Sequence, residues 1–483
     1  MLTTLITAVL GFITPGHPSE ITFPEYSFTP PMSEDYLEVL SCGVPVYVAE
    51  DKELPLINVS FTFLGGKYLE PNNLVGLTGV MASMVQSGGT TSVSAEDVDE
   101  RFAYLAANTS VVGSATVVSA SLNSLSSNFD ESFGLFLDVL QNPGFDESRL
   151  RIEVDSIVEG LKQRNDYPSG ILSRESRSLL YGDSYLGREP VFDSINSINK
   201  GLMLDLYSRI INPSNMVVSI SGDFKKEDML KKLDDSICSW KMGSETENPP
   251  DVISNYSPGI YFVDQDVPQG GVRIGLRSLR RSDPDLEAAI IMNYILGGGG
   301  FSSRITQSVR SNEGLAYGAG SRLSPGTWSD GLWGAHFESK NSTVALAAKL
   351  VFDEIKKIKT ELVSDEELEL AKGSLVEQFP STFQSKIGML KLFVMDNLTN
   401  RDPSYWQTFR DKISAVTAED VQRVANRLLR TEDMLVVVVG NWEEIKQGDS
   451  GGRANMDDIK NIIGGEVVEL PLRDPLTLRA TSK

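Results

Sequence analysis

Two kinds of apolar pattern alternate along this chain. "VPVYVAE" (44–50) and "INVSFTFL" (57–64) are short runs rich in β-branched and aromatic residues, which predict strands. Leu77, Val80, Met81 and Met84 then recur at helical spacing behind Gly76 and Thr78, and "SGGT" (87–90) ends the run. Longer amphipathic helical segments follow. "MVVSISG" (216–222) and "MLVVVVG" (434–440) read as buried strands, each stopped by a glycine. Strands and helices mixed in this order, with hairpin-length turns, predict an α+β fold in which helices pack on one face of a mostly antiparallel sheet.

The pattern occurs twice. "INPSNMVVSISGDF" (211–224) matches "LRTEDMLVVVVGNW" (429–442), pairing Met216 with Met434 and Gly222 with Gly440 at an offset of 218 residues. The same offset pairs Leu150 with Leu368, Ser156 with Ser374 and Glu159 with Glu377. Two separated blocks with one offset define a tandem duplication. The expected boundaries are a leader and N-terminal extension at 1–31, a first module at 32–242 and a linker at 243–259. A second module at 260–470 and a tail at 471–483 complete the chain. The linker stretch is polar, contains proline and has few large apolar groups.

Composition narrows the functional classes. The net charge of −22 argues against nucleic acid as a partner, since phosphate binding needs a positive face. Cys42 and Cys238 are the only cysteines, too few for a disulfide framework or a thiolate metal cluster. They pair if the fold brings them together; two buried, inert thiols are the simpler expectation. An apolar run from Leu2 to Ile13 has signal-peptide length and is too short to span a bilayer, although the first basic residue is Lys52. It predicts export, to a periplasm, of a protein without a membrane span, with the cytoplasm as the alternative.

"LPLINVSFTFLGGKYLEPNNLVGLTGVMASMVQSGGT" in the first half and "LGGGGFSSRITQSVRSNEGLAYG" (296–318) in the second resemble the insulinase/pitrilysin metallopeptidases, which include the mitochondrial processing peptidase. The likeness extends from about residue 32 to 470 and implies a clam-shell arrangement of the two modules. Catalytic members carry H-x-x-E-H on the first-half helix, whose two His bind zinc while the Glu activates the metal-bound water. Here residues 79–83 read Gly79-Val80-Met81-Ala82-Ser83, so the ligand and base positions hold Gly79, Ala82 and Ser83. The distal Glu ligand of the family falls at Glu159 or Gly160. The chain has only two His, His17 beside the leader and His336, and a two-His zinc site cannot be built from them. No metal and no cofactor are expected in this chain. His336, between Trp333 and Phe337 in sequence, reads as a packed, hydrogen-bonded residue without a catalytic role.

In the second half, "RSNEGLAY" places Arg310 seven residues before Tyr317. Ser302 and Ser303 can cap a helix through Ile305 and Val309, and Gly314 can end it left-handed, so the strand returns past Arg310. By resemblance, Arg310 and Tyr317 hold the substrate carbonyl and stabilise its oxyanion, and both are hydrogen-bond donors as that charge requires. The "GGGG" run at 297–300 lacks the Lys of a phosphate loop. The resemblance makes it a turn into the Arg310 helix that touches substrate through Gly298, Gly299, Gly300 and Phe301.

The resemblance therefore implies a non-catalytic, substrate-binding subunit of a heterodimeric zinc peptidase. Its partner would be a homologous H-x-x-E-H subunit carrying the zinc, and its ligand a peptide. The alternative is a stand-alone pseudopeptidase that binds peptides or acts as a scaffold. Neither reading expects peptidase activity from this chain alone.

Overall fold

A computed structural model describes residues 28–253 and 255–481; the leader run lies outside the described residues. The first module builds one six-stranded sheet from β1 (Leu37–Val39), β2 (Pro45–Glu50), β3 (Leu56–Leu64), β4 (Asn108–Gly113), β5 (Val117–Leu125) and β6 (Met216–Gly222). The second builds its own from β7 (Gly259–Asp264), β8 (Gln269–Arg277), β9 (Ala316–Ser324), β10 (Leu332–Lys340), β11 (Leu435–Gly440) and β12 (Glu466–Glu469). The orders are β1-β2-β6-β3-β5-β4 and β12-β7-β11-β8-β10-β9. β2 runs parallel to β6 and β7 parallel to β11, while the β3 and β8 neighbours are antiparallel. This is the expected α+β architecture of two homologous modules.

Alternation sets the faces. Ile57, Val59, Phe61 and Phe63 of β3 point inward and are buried against the module's helices. Among those helices, α1 (Leu77–Ser87) packs on α2 (Glu147–Lys162). In the second module Val272, Ile274 and Leu276 of β8 pack in the same way against α4 (Val344–Thr360). Burial of these side chains supplies the main stabilisation, about 1.5–3 kcal/mol for each large apolar group.

The other face of each sheet is covered in a way the sequence did not suggest. Helix α3 (Pro168–Tyr181) leaves the first module and lies on β8 and β11 of the second, where Ile171 and Leu172 join Val263, Val437 and Val439. Helix α5 (Lys386–Leu398) makes the reciprocal crossing onto β2, β3 and β6, packing Phe393 and its neighbours with Tyr47, Ala49 and Val217. The first residues of α3 and α5 are themselves 218 positions apart, so the exchange obeys the internal repeat. Helices thus cover both faces of each sheet, one face with the module's own helices and the other with its sister's.

The cysteines form a disulfide, in place of two inert thiols. Cys42 lies between β1 and β2 and Cys238 caps the helix Lys226–Ile237, with Cα atoms 5.4 Å apart across 196 residues of sequence. Asp234 of that helix accepts from the Ser41 amide at 2.6 Å and from its hydroxyl at 2.9 Å, which holds the two segments in register. No helix among the described residues is long and apolar enough to cross a membrane.

Candidate functional site

The segment between α1's counterpart in the second module and β9 carries Arg310 and Tyr317. Leu286–Asn293 begins as an α-helix and widens into a π-turn at Tyr294–Gly298, a feature frequent at functional sites. A Cβ on Gly297 would lie 2.4 Å from the Ser321 backbone nitrogen, so only glycine lets this turn rest on β9. Gly300, with φ +62°, reverses the chain. The Ser303 hydroxyl donates to the Gly300 carbonyl at 2.7 Å, and Thr306 Oγ1 donates to the Ala319 carbonyl at 2.7 Å, which pins the turn to β9. Ser303 occupies the N-cap position, yet its side chain makes no capping bond. The helix that follows is a single α-turn, Arg304–Thr306, continued by a π-turn over Gln307–Asn312. Ile305 and Val309 anchor it in the core.

Gly314, at φ +64°, ends this helix, with its amide donating to the Arg310 carbonyl at 3.0 Å. The chain then enters β9 beside Arg310, whose guanidinium carbon sits 4.8 Å from the Tyr317 ring centre and 4.6 Å from that of Phe301. The cation is therefore held between two aromatic rings. It makes no ion pair among the described residues, so its N–H donors remain available. Tyr317 is 89% and Phe301 68% exposed, unusual for such large side chains. Beside them opens a cleft of about 920 Å³, bordered by Gly297, Gly298, Gly300, Tyr317, His336 and Leu172 of α3.

The base of the Arg310 segment is fixed by an ion pair that sequence reading missed. Arg304 donates to both Glu367 carboxylate oxygens, at 2.6 and 2.8 Å. That bond, with bonds from the Ser364 amide and hydroxyl, holds the Glu367 carboxyl down at about 2 despite partial burial.

At the emptied zinc motif, Gly79 and Ser83 lie toward the open side of α1, whereas Ala82 is 1% exposed and packed in the core. Space remains at Gly79, where an added Cβ would meet nothing within 4 Å. Buried Glu70 caps α1 by accepting from the Gly76 amide at 3.1 Å and the Thr78 amide at 2.7 Å. Glu159 faces solvent in an ion pair with Lys162 at 2.9 Å. Among the described residues no three His, Cys, Asp or Glu side chains come together as metal ligands would.

His336 departs from expectation. It sits on β10 between Trp333 and Phe337 in sequence, but strand alternation turns it to the opposite face, the one α3 lies on, where it is paired with Arg273 of β8 and is not packed in the core. Desolvation, and then Arg273, push its pKa below the ordinary histidine value.

The molecule thus combines two duplicated α+β modules, a first-module helix carrying Gly79, Ala82 and Ser83, and an arginine–tyrosine pair on the second module. Residues 197–375 match the family described as "Peptidase M16 inactive domain". An "Uncharacterized zinc protease" of Rickettsia felis is 27% identical over 321 residues, 65% of this chain and 75% of that protein. The "Non-peptidase homolog YmxG" of Helicobacter pylori is 22% identical over 420 residues, 85% of this chain and 94% of the relative. The crystal structure of a peptidase M16 inactive domain from Pseudomonas fluorescens superposes with a TM-score of 0.76 at 22% identity, covering 84% of this chain and 97% of that one. Residues 197–375 thus resemble the inactive domain of the M16 family, and most of the chain is similar in sequence and fold to proteins of that group, the insulinase/pitrilysin metallopeptidases.

Proposed function

We propose that this chain is the substrate-holding subunit of a two-chain zinc peptidase. A homologous H-x-x-E-H subunit would supply metal and base, and this chain would supply Arg310 and Tyr317 to the scissile carbonyl. The observation that carries this reading is the Arg310 guanidinium, unpaired and packed against Phe301 and against Tyr317, which borders a cleft, in a chain with Gly79, Ala82 and Ser83 at the motif positions. A guanidinium and a phenol at one spot offer several N–H and O–H donors where an oxyanion develops. Gly298 and Gly300 border the same opening, Gly299 and Phe301 belong to the same turn, and these four residues would touch the peptide backbone. The Cys42–Cys238 disulfide supports residence in an oxidising compartment, such as a periplasm, because such bonds are rare where thiols are kept reduced.

Steady-state kinetics of the reconstituted heterodimer test the reading. Tyr317→Phe removes one donor and keeps the ring, so turnover should fall roughly a hundredfold to a thousandfold, about 2.7–4 kcal/mol, with zinc content and assembly unchanged. Arg310→Lys should also lower turnover, since an ammonium cannot reproduce the planar fork. Full turnover in both assembled variants would reduce this chain to a scaffold. Failure of the chain to assemble with any H-x-x-E-H homologue would leave the stand-alone, peptide-binding alternative.

A further inference from the structure

Helix α3 does not lie flush on the second sheet. Between them is a pocket of about 410 Å³ whose lining includes Arg177 from α3, Arg273 from β8, Arg322 from β9 and His336 from β10. Its floor is Gly275 facing Gly334 across β8 and β10, and Leu180 of α3 lies 3.9 Å from where a Gly275 Cβ would be. Two facing glycines leave the sheet backbone bare, and the basic side chains rise around it.

The internal repeat shows that this cluster is not demanded by the fold. Val437 pairs with Arg273 in the second sheet as Ser219 pairs with Ser60 in the first, 218 residues earlier. By the same registers His336 corresponds to Ser121 and Arg322 to Val112. Arg177 corresponds to Met395 by the 218-residue offset. All four basic positions are uncharged in the sister module, where Ser219, Ser60, Ser121 and Ser110 form one row across four strands.

Acidic partners do not balance the cluster. Arg177 is paired with Glu189 at 2.6 Å, and Glu338 stands two residues beyond His336 on the same strand face. The side chains of Arg273 and Arg322 make no ion pair or hydrogen bond among the described residues. Burial, and then the neighbouring Arg177, depress the Arg273 pKa. In a chain of net charge −22, two unpaired guanidiniums over a bare glycine floor stand out against the surrounding field.

We propose that this pocket binds a ligand bearing two or more oxyanion groups, carboxylate or phosphate, held by Arg273 and Arg322. Guanidinium forks grip both groups in bidentate fashion. The source is either a run of acidic side chains in a peptide or a free small polyanion, and the chemistry at the arginines is the same. The proposal does not depend on pairing with a catalytic subunit.

Isothermal titration of the full chain alone decides it, with inorganic pyrophosphate and tetraglutamate as probes and tetraglutamine as the uncharged control. At least one anionic probe should bind saturably while tetraglutamine does not. Binding of tetraglutamate alone would assign the peptide source, and of pyrophosphate alone the free anion. Arg273→Gln and Arg322→Gln should each weaken binding about ten- to a hundredfold. Neither side chain belongs to the apolar core, so the variants should keep the wild-type melting curve. The His336 ring resonance gives a local readout, its pKa rising when the anion binds. Absence of saturable binding by either anion, or binding unchanged in the double variant, would overturn the proposal.

Discussion

Breaking the Cys42–Cys238 bond should loosen the first module selectively. The bond closes 196 residues, and the chain-entropy relation for a loop of that size gives about 5 kcal/mol at 25 °C. Measured disulfides usually deliver less than this relation, so the expected loss is about 2–5 kcal/mol. The bond joins the β1–β2 turn to the end of Lys226–Ile237, next to Trp240, whose ring meets Phe63 edge-on at 6.3 Å. Trp240 is the only tryptophan before residue 328, so its fluorescence reports this module. Urea unfolding followed at Trp240 should shift to lower urea in the Cys42→Ser/Cys238→Ser chain, and equally on reduction of the wild type. Thiol titration of the denatured, unreduced protein should find no free thiol. Equal midpoints with and without reductant, or two free thiols in protein purified from an oxidising compartment, would refute the reasoning.

Other perturbations test other joints. Phe393→Ala, at a ring buried between α5 and the first sheet, should cost about 3–5 kcal/mol in a denaturant titration. The Glu367 carboxyl is depressed, so its bond to Arg304 contributes above the ordinary glutamate range and is lost as pH falls toward about 2. Arg304→Gln should therefore flatten the decline in stability between about pH 4.5 and 2, read from urea midpoints across that range. Gly79→His with Ser83→His should fold and bind zinc weakly, since both positions are open. Adding Ala82→Glu buries an unpaired carboxylate and should lower the melting temperature.

How much of this was legible follows from the range of each interaction. The duplication and the closing strands at 216–222 and 435–440 were readable because repeats and apolar runs are local signals. That no two-histidine zinc site can be built at 79–83 was readable because it rests on counting histidines. The approach of Arg310 to Tyr317 was inferable from Gly314 and the return strand, although the π-turn between Gln307 and Asn312 was not. His336 was misjudged by weighing its sequence neighbours over the two-residue period of a strand, which places neighbours on opposite faces. The disulfide, the Glu70 cap on α1 and the Arg304–Glu367 pair join residues whose proximity depends on the finished topology. The exchange of α3 and α5 was hidden for the same reason: an amphipathic helix does not announce which sheet it will cover.

That exchange has a mechanical consequence. Each module's outer sheet face is stoppered by a rod belonging to the other, and the chain's last stretch adds a strap. The Leu470 amide bonds the Phe262 carbonyl at 2.7 Å, Arg473 reaches Glu175 at 2.8 Å, and the Phe192 amide bonds the Leu476 carbonyl at 2.8 Å. Separating the modules would mean withdrawing both rods and unbuckling the strap, so the stretch at 243–258 cannot serve as a free hinge. Built this way, the two modules form one rigid jaw. Under the proposed function, any opening to admit a peptide, and any closing around it, would be a displacement against the partner subunit.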